Sequence, residues 1–440
     1  MNTLRTRVCV LGAGGGGTGC VYRLLKNGID TVVIDKNPDF GGTAVFSGVD
    51  GFEPGVSLDG IHQEISRILT EKKQGFVVKR LPNGRLLPEA DRTPGKDQFP
   101  EYPWALADKT EEPYSATLSR KWGKRFQFDP DAFTAAIREI LSPCKEHLTA
   151  LFGWEYDGCR TMSGNVTAII LRRGEERAAV EAEYFVDASG DIVLARDAGC
   201  AHTSGTESCE VYGESGAPLV STDTVNAVTY CFRITRAEDP EHIDQEPAEH
   251  DAEWENTLMR GVVSCFSEYP DGDINVNMLP TMQGREYMEL GKNADRVGHI
   301  RAKGYWYYLQ TEKKLRGWTI KKIYDAGVRE TYRLKGRHIL TEQEVRAGRS
   351  ALDSVAAIAD HALDIHGESG MLKELEKPYI IPLECTMTRE YENLFVACRG
   401  ASFSHIAGAS ARLIRTMLSL GESVGEHIAG LLKKGGKRHV

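Results

Sequence analysis

The sequence predicts an α/β fold with a nucleotide-binding βαβ unit at its start and a second, α+β domain. Two observations predict it. The first is the opening stretch, RVCVLGAGGGGTGCVYRLLKNGIDTVVIDK. The second is length, since 440 residues bury a large core and exceed one ordinary domain. Residues 7–11 form an apolar run of strand length. Gly12, Gly14 and Gly17 then give G-x-G-x-x-G, and Val21, Leu24 and Leu25 follow at helical spacing. A second β-branched run over 31–34 ends in Asp35. This strand–turn–helix–strand order is the context a dinucleotide fingerprint requires. The first glycine makes the tight turn, the second admits backbone close to a pyrophosphate, and the third lets helix and strand approach. The helix N-terminus offers unpaired N–H groups to phosphate oxygens. Asp35, 18 residues after Gly17, stands where a carboxylate takes ribose hydroxyls.

The remaining elements follow in order. The pattern predicts a helix over 56–74. Residues 79–124, rich in charge and including Pro100, Tyr102, Pro103 and Trp104, read as an insertion or lid. Asp129 is an N-cap with Pro130 at the first helical position, followed by Ala132, Ile137 and Leu141. Strands are expected over 149–155, 166–172 and 180–186, and a short helix over 191–199. A strand over 224–235 would place Val225, Ala227, Thr229, Cys231 and Arg233 on one face. Residues 236–255 read as a charged, solvated loop. A strand over 394–397 precedes a final helix over 408–433. Its small residues Gly408, Ala411, Gly421, Gly425 and Ala429 allow close packing on a neighbour.

Composition excludes several classes. Lys and Arg number 54 against 63 Asp and Glu, a net charge of −9, with a pI near 5.8. This argues against nucleic acid as a partner, because such binding rests on neutralising phosphates. The basic stretch from Lys433 to His439 is short and reads as a solvated end. No run of 18 apolar residues exists, so neither a membrane span nor a membrane partner is expected. Arg5 and Arg7 lead into the first strand without a signal-peptide h-region. The ten cysteines form no C-x-x-C and no zinc spacing. Reduced thiols, a cytoplasmic location and a small-molecule substrate are the expectation, with oligomeric state left open.

Three distant segments, the opening, 182–200 and 392–430, resemble one family, and a fourth, 329–345, adds to them. Gly41-Gly42-Thr43 stands where that family carries a glycine pair after the second strand. AEYFVDASGDIVLARDAGC (182–200) is similar to its "IDATGD…A..AG" signature. ENLFVACRGASFSHIAGASARLIRTMLSLGESVGEHIAG (392–430) is similar to its closing strand–loop–helix, and RETYRLKGRHILTEQEV (329–345) to its "RESRR…G…LT..D/EV" element. The chain thus resembles the FAD-dependent oxidoreductases with a glutathione-reductase-like Rossmann domain. The resemblance implies FAD bound by Gly12, Gly14, Gly17, Asp35, Lys36, Gly41, Gly42, Thr43, Ala188, Gly190, Asp191, Arg399, Ile406, Ala407 and Gly408. It implies a discontinuous FAD domain (1–78, 125–200 and 380–440) and a substrate or cap domain over 201–379. The start of the final helix, near residues 406–408, is expected to face the isoalloxazine C2 carbonyl, where reduction builds negative charge.

Departures from the family pattern narrow the chemistry. Arg399 stands where the aromatic hydroxylase branch carries Asp, which disfavours hydroxylation. Tyr332 replaces a common Arg. The disulfide-reductase branch needs two cysteines after the glycine pair, and Thr43, Ala44, Val45, Phe46 and Ser47 supply none. No second glycine fingerprint marks a nicotinamide domain. The expected reaction is direct hydride transfer between a small organic substrate and flavin N5, with Arg329 and His405 as catalytic candidates. Arg412 matches the same motif, with structural pairing as its expected role. Two alternatives remain at this level: an NAD-dependent dehydrogenase using the single fingerprint, and a non-catalytic flavin-binding protein.

Overall fold

Parallel strands that end together place the loops of the first sheet on one edge. The structure, a computed structural model, describes residues 2–79, 85–86, 108–118, 123–367 and 370–435. Among the described residues, a seven-stranded sheet has β1 (Asn2–Leu11) near its centre. β1 pairs in parallel with β2 (Thr31–Asp35) on one side and with Glu176–Asp187 on the other. Leu148–Phe152 adds in parallel outside β2, and Leu394–Val396 pairs in parallel with the end of Glu176–Asp187. Asn165–Arg173 and Glu155–Met162 continue the sheet as an antiparallel meander. The register sets Ile34, Leu11, Asp187 and Val396 in one row. Their following loops therefore share the carboxyl edge, where open α/β sheets bind ligands. β1 starts earlier than its apolar run indicates. Residues 2–6 lie largely exposed and are held by ladder pairing with 178–182, which leaves no hydrophobic signal.

Glycines decide how α1 (Gly15–Lys26) sits. A methyl group on Gly16 would overlap the Ala397 carbonyl, one on Gly19 the Leu418 carbonyl, and one on Gly421 the Gly16 carbonyl. On Gly425 it would lie 2.7 Å from the Cys20 carbonyl oxygen. Two helices and a strand end thus meet backbone to backbone. The small residues Gly421 and Gly425 do provide close packing, but not on one unbroken helix. The expected helix over 408–433 is two: His405–Ala411 and the 22-residue Ile414–Gly435. The break at Arg412 and Leu413 lets the long helix lie on α1 while Arg412 turns to donate to the Asp364 carbonyl (3.2 Å).

The helix expected over 56–74 is confined to Ile61–Glu71. Gly60 has φ +97°, which stops it N-terminally, and the Glu422 carboxylate accepts from the Ile61 amide (2.9 Å) as a cap supplied from afar. Asp129 caps Pro130–Leu141 as its sequence predicts, accepting from the amides of Asp131 and Ala132.

A second, antiparallel sheet is ordered Trp318–Ile323, Cys231–Arg236, Ile274–Leu279, Val263–Glu268 and Arg85–Leu86. Phe232, Ile234, Val276 and Met278 pack with Ala302, Tyr305, Trp306 and Leu309 of the helix Ala294–Thr311. The opposite face is polar and meets the first part of the chain. Asn275 donates to the Gly48 carbonyl (2.6 Å), Ser267 to Asp50 (2.9 Å) and Arg233 to Asp129 (3.0 Å). The strand expected over 224–235 begins only at Cys231. Residues before it make isolated bridges, Val228 with Met282 and Thr229 with Gly327, because they cross between the sheets. Residues 236–255 are irregular until the helix Ala252–Thr257. Most of the 79–124 segment read as an insertion or lid lies outside the described residues. Among them, Asp108–Thr110 and Lys124–Phe128 pair with Gly75–Lys79.

The glycine contacts give a direct test. Gly421→Ala is expected to lower stability by about 1–3 kcal/mol, the usual cost of overpacking. Gly430→Ala lies on the same helix with nothing within 4 Å, and should be neutral or stabilising by up to about 1 kcal/mol. Urea unfolding of both variants checks the pair; equal midpoints would contradict the packing.

Candidate active site

The loops on the carboxyl edge are tied to one another by short backbone bonds. The Gly12 amide donates to the Ile34 carbonyl (2.7 Å), Ala188 to Leu11 (2.7 Å), Ala397 to Asp187 (2.9 Å) and Gly41 to Ala13 (2.9 Å). Gly12 has φ +107°, and a methyl there would overlap the Ala188 carbonyl. Gly17 packs against the Gly12 carbonyl in the same way. These two glycines are required by the fold itself. Gly14 differs. It is partly exposed, and a methyl on it would meet only the Gly42 Cα, at 3.9 Å. Gly42 has φ +50°, and its own Cβ would come within 2.6 Å of Gly14. Two glycine backbones therefore stand bare beside one open space at the start of α1.

Asp35 is buried at the end of β2, and both its oxygens hold backbone. Oδ2 accepts from Ala13 (2.6 Å) and Oδ1 from Asn37 (2.8 Å). Burial pushes this carboxyl up, against the pull of those amides and of the exposed Lys36. Asp187, also buried, accepts from the Ser189 amide and hydroxyl and the Ala195 amide, which fixes the turn carrying Ala188, Gly190 and Asp191. Arg399 donates to Asp191 (2.6 Å) across Gly190, and Thr331 donates to the same carboxylate oxygen (2.7 Å). The Arg399 Nε is buried without a partner among the described residues. Thr43, partly exposed, opens the short helix Thr43–Phe46.

Around His405 the chain builds a buried ionic cluster. Arg333 pairs with Glu330 and with Glu207 (2.5 Å), and donates to the Phe403 carbonyl (3.1 Å). Glu207 accepts from the His405 amide (3.0 Å), and Ser404 caps the helix by accepting from Ala407 (3.1 Å). Two first-turn amides are thus already taken by protein groups. The helix holding Ile406, Ala407 and Gly408 spans seven residues, so the long-helix dipole expected at this point is not there. His405 is 1 % exposed, and its Nδ1 faces the Glu330 carboxylate at 2.9 Å. The carboxylate only accepts, so Nδ1 carries the hydrogen, and Nε2 has no partner among the described residues. Burial and the nearby Arg333 lower this imidazole to about 3.

Arg329, next in sequence to Glu330, belongs to a different cluster. It donates through one nitrogen to the Ala227 carbonyl (2.9 Å) and the Thr229 hydroxyl (2.7 Å). Burial and the neighbouring Arg412 lower its guanidinium to about 10. Arg412 is likewise lowered, by burial, although Asp364 and Glu53 oppose this. His366 faces Asp364 at 2.9 Å. Burial, then Arg329, depress the imidazole to about 4, so it is neutral near pH 7. Burial opposes ionisation of Asp364, but the His366 hydrogen bond and Arg412 hold its carboxyl well below the usual range. Asn226 links the two clusters. It donates to Glu330 and accepts from the His366 amide (2.9 Å). The segment before Arg329 packs on the turn after the glycine pair: the Gly327 methyl position lies 3.8 Å from the Ser47 Cβ.

The comparisons with known proteins now bear on this geometry. The model of the FAD dependent oxidoreductase family matches residues 7–439. The chain belongs to that family. No curated protein matches it in sequence. The fold is similar to that of a geranylgeranyl bacteriochlorophyll reductase-like protein from Thermoplasma acidophilum. The TM-score is 0.50 at 13% identity, covering 99% of this chain and 80% of that one. A p-nitrophenol 4-monooxygenase from Pseudomonas putida gives 0.44 at 10% identity, covering 99% and 81%. A flavin-dependent brominase gives 0.46 at 12%, covering 98% and 80%.

FAD is the cofactor of this oxidoreductase, and the carboxyl edge fits it. Gly14 and Gly42 leave open the space that a backbone-cradled pyrophosphate needs, and on the neighbouring Gly190 turn the Arg399 Nε is buried without a partner among the described residues. Gly12, Gly17, Gly41 and Ala188 shape the loops, and Asp35 holds the fingerprint turn closed. Arg329 and His405, expected at one site, lie in two charge clusters joined through Asn226 and Glu330. Asp364 and His366 were not legible as site residues, since D-I-H in a short strand carries no motif. Among the described residues no group of His, Cys, Asp or Glu could hold a metal ion, and no helix is long and apolar enough to cross a membrane.

The two kinds of glycine separate experimentally. Gly12→Ala should unfold the chain or lower its yield sharply, through φ strain and overlap with Ala188. Gly14→Val should leave a folded protein whose far-UV spectrum is unchanged but which loses FAD on gel filtration. Retention of full flavin by Gly14→Val would contradict the cradle.

Proposed function

We propose that this FAD-dependent oxidoreductase exchanges hydride directly between a small organic substrate and the flavin, with no separate nicotinamide domain. The observation that carries this reading is the convergence of Arg329, Arg412 and the Asp364–His366 pair from three distant segments, with the chain just before Arg329 packed on the turn that follows the glycine pair. Bound FAD supplies a two-electron acceptor or donor; the protein supplies orientation and the proton path. No cysteine stands among residues 43–47 after the glycine pair, which supports a route without a dithiol relay there. Arg329 has donors left to hold or polarise a substrate oxygen. In His366 the Asp364 carboxylate takes the hydrogen on Nε2, so Nδ1 is the acceptor. A neutral imidazole held this way suits a general base.

His405 has the same carboxylate-held form, but its surroundings are Glu207, Glu214, Glu330 and Arg333. It fits a positioning role: it ties the segment after Phe403 to Glu330, which through Asn226 fixes His366. Anaerobic stopped-flow mixing tests the whole reading. Arg329→Gln and His366→Asn should keep the flavin spectrum and slow its bleaching by substrate about 10²–10⁴-fold. His405→Asn should lower the melting temperature along with the rate. NADH and NADPH should bleach the flavin slowly or not at all. Rapid bleaching by either nucleotide, or wild-type rates in the Arg329 and His366 variants, would overturn the proposal.

A further inference from the structure

We propose that Arg329 and Arg412 together form a carboxylate-binding subsite, so that the substrate of this enzyme is a small organic acid. The inference deepens the direct-exchange reading and rests on it for the word substrate. A guanidinium carries five N–H donors and does not give up its charge in proteins. Arg329 uses one nitrogen, on two neutral acceptors, the Ala227 carbonyl and the Thr229 hydroxyl. Arg412 donates once, to the Asp364 carbonyl at 3.2 Å, and approaches the Asp364 carboxylate only to 3.7 Å. The Arg412 Nε is buried with no partner among the described residues. Asp364 meanwhile is engaged at 2.9 Å by His366.

Arg412 thus lowers Arg329, and both guanidiniums are drawn to an Asp364 carboxylate that His366 already engages. The other acids in range do not change this. Asp50 lies against Arg125 (3.5 Å), and the charge of Glu53 is divided between Arg125 and Arg412, with no hydrogen bond to Arg412. His361 and His366 are both kept neutral by burial. Burying a cation without a full partner is costly, and fold stability gives no reason to place two together. An anionic ligand removes the cost.

The shape of the surroundings selects the anion. The Ala227 and Asp364 carbonyls and the Asp364 carboxylate close in around the two forks. Their dipoles and charge repel a phosphate dianion more than a monoanion, and the unused paired N–H donors of a guanidinium suit a planar monoanionic group. Arginine matches a carboxylate in this bidentate way. The third group in the cluster, His366, then stands beside the bound acid with a free imidazole nitrogen.

The test uses the FAD-loaded protein and binding rather than turnover. Acetate, succinate and benzoate, with acetamide, succinamide and benzamide as uncharged counterparts, are titrated by calorimetry and by perturbation of the flavin absorption band. At least one carboxylate should bind, and its amide should bind at least tenfold more weakly. Arg329→Gln and Arg412→Gln should each weaken that carboxylate at least tenfold. Arg329→Lys and Arg412→Lys, which keep the charge and spare the fold, should weaken it less. Equal binding of acid and amide, undiminished binding in both Gln variants, or no binding of any of the three acids at millimolar concentration overturns the subsite. Carboxylate binding in a protein whose flavin no organic acid bleaches would keep the subsite and discard the hydride reading.

Discussion

Backbone-to-backbone contact at glycine is the constraint on which the rest of this structure depends. Gly12 lies against Ala188, Gly16 against Ala397, and Gly421 against Gly16. Each contact joins segments that are far apart in sequence, and none survives a side chain. Together they bring the ends of β1, Glu176–Asp187 and Leu394–Val396 to one edge and hold the long C-terminal helix over α1. A cofactor as long as FAD needs distant pieces of chain within one reach, and these contacts provide it. Hydrophobic burial supplies the driving force, but it is not directional; glycine packing supplies the register.

A second layer of organisation is ionic. Glu330 and Arg329 are neighbours that point to different tasks. Glu330 enters a buried set with Arg333, Glu207 and His405, and Arg329 enters the half-open cluster with Arg412, Asp364 and His366. The first set pairs its charges with one another, leaving only the His405 Nε2 without a partner among the described residues, and acts as a clamp on the segments around 204–214, 330–334 and 403–407. The second does not, and unsatisfied charge is the kind of local cost that proteins retain for binding or catalysis. Asn226 couples the two, so a change in the clamp reaches the site through the His366 backbone.

Much of the glycine-built carboxyl edge was legible because glycine patterns have few physical explanations. Gly12, Gly14 and Gly17 in a strand–turn–helix context leave little room for another reading, and Gly421 and Gly425 announce close helix packing. The Asp129 cap was equally plain, since Asp-Pro before helical periodicity is local chemistry. Other features were not local. The helix before Glu71 stops at Gly60 because Glu422 caps it from another part of the chain. The C-terminal helix breaks at Arg412 without a proline or glycine, since its two parts answer to different neighbours. His366 and Asp364 form a pair only because Arg329 and Arg412 arrive from elsewhere. Arg329 and His405 both carry family-like motifs, yet motif membership does not say which cluster a side chain joins.

The most direct measurement is hydrogen–deuterium exchange of the apo and FAD-loaded protein, followed at the amides of 13–18, 41–43, 188–191 and 397–400. If glycine contacts assemble one site from these four segments, FAD should protect all four together, with the same dependence on its concentration. Protection confined to 13–18, with the other three exchanging as in the apo protein, would contradict a site built from distant segments.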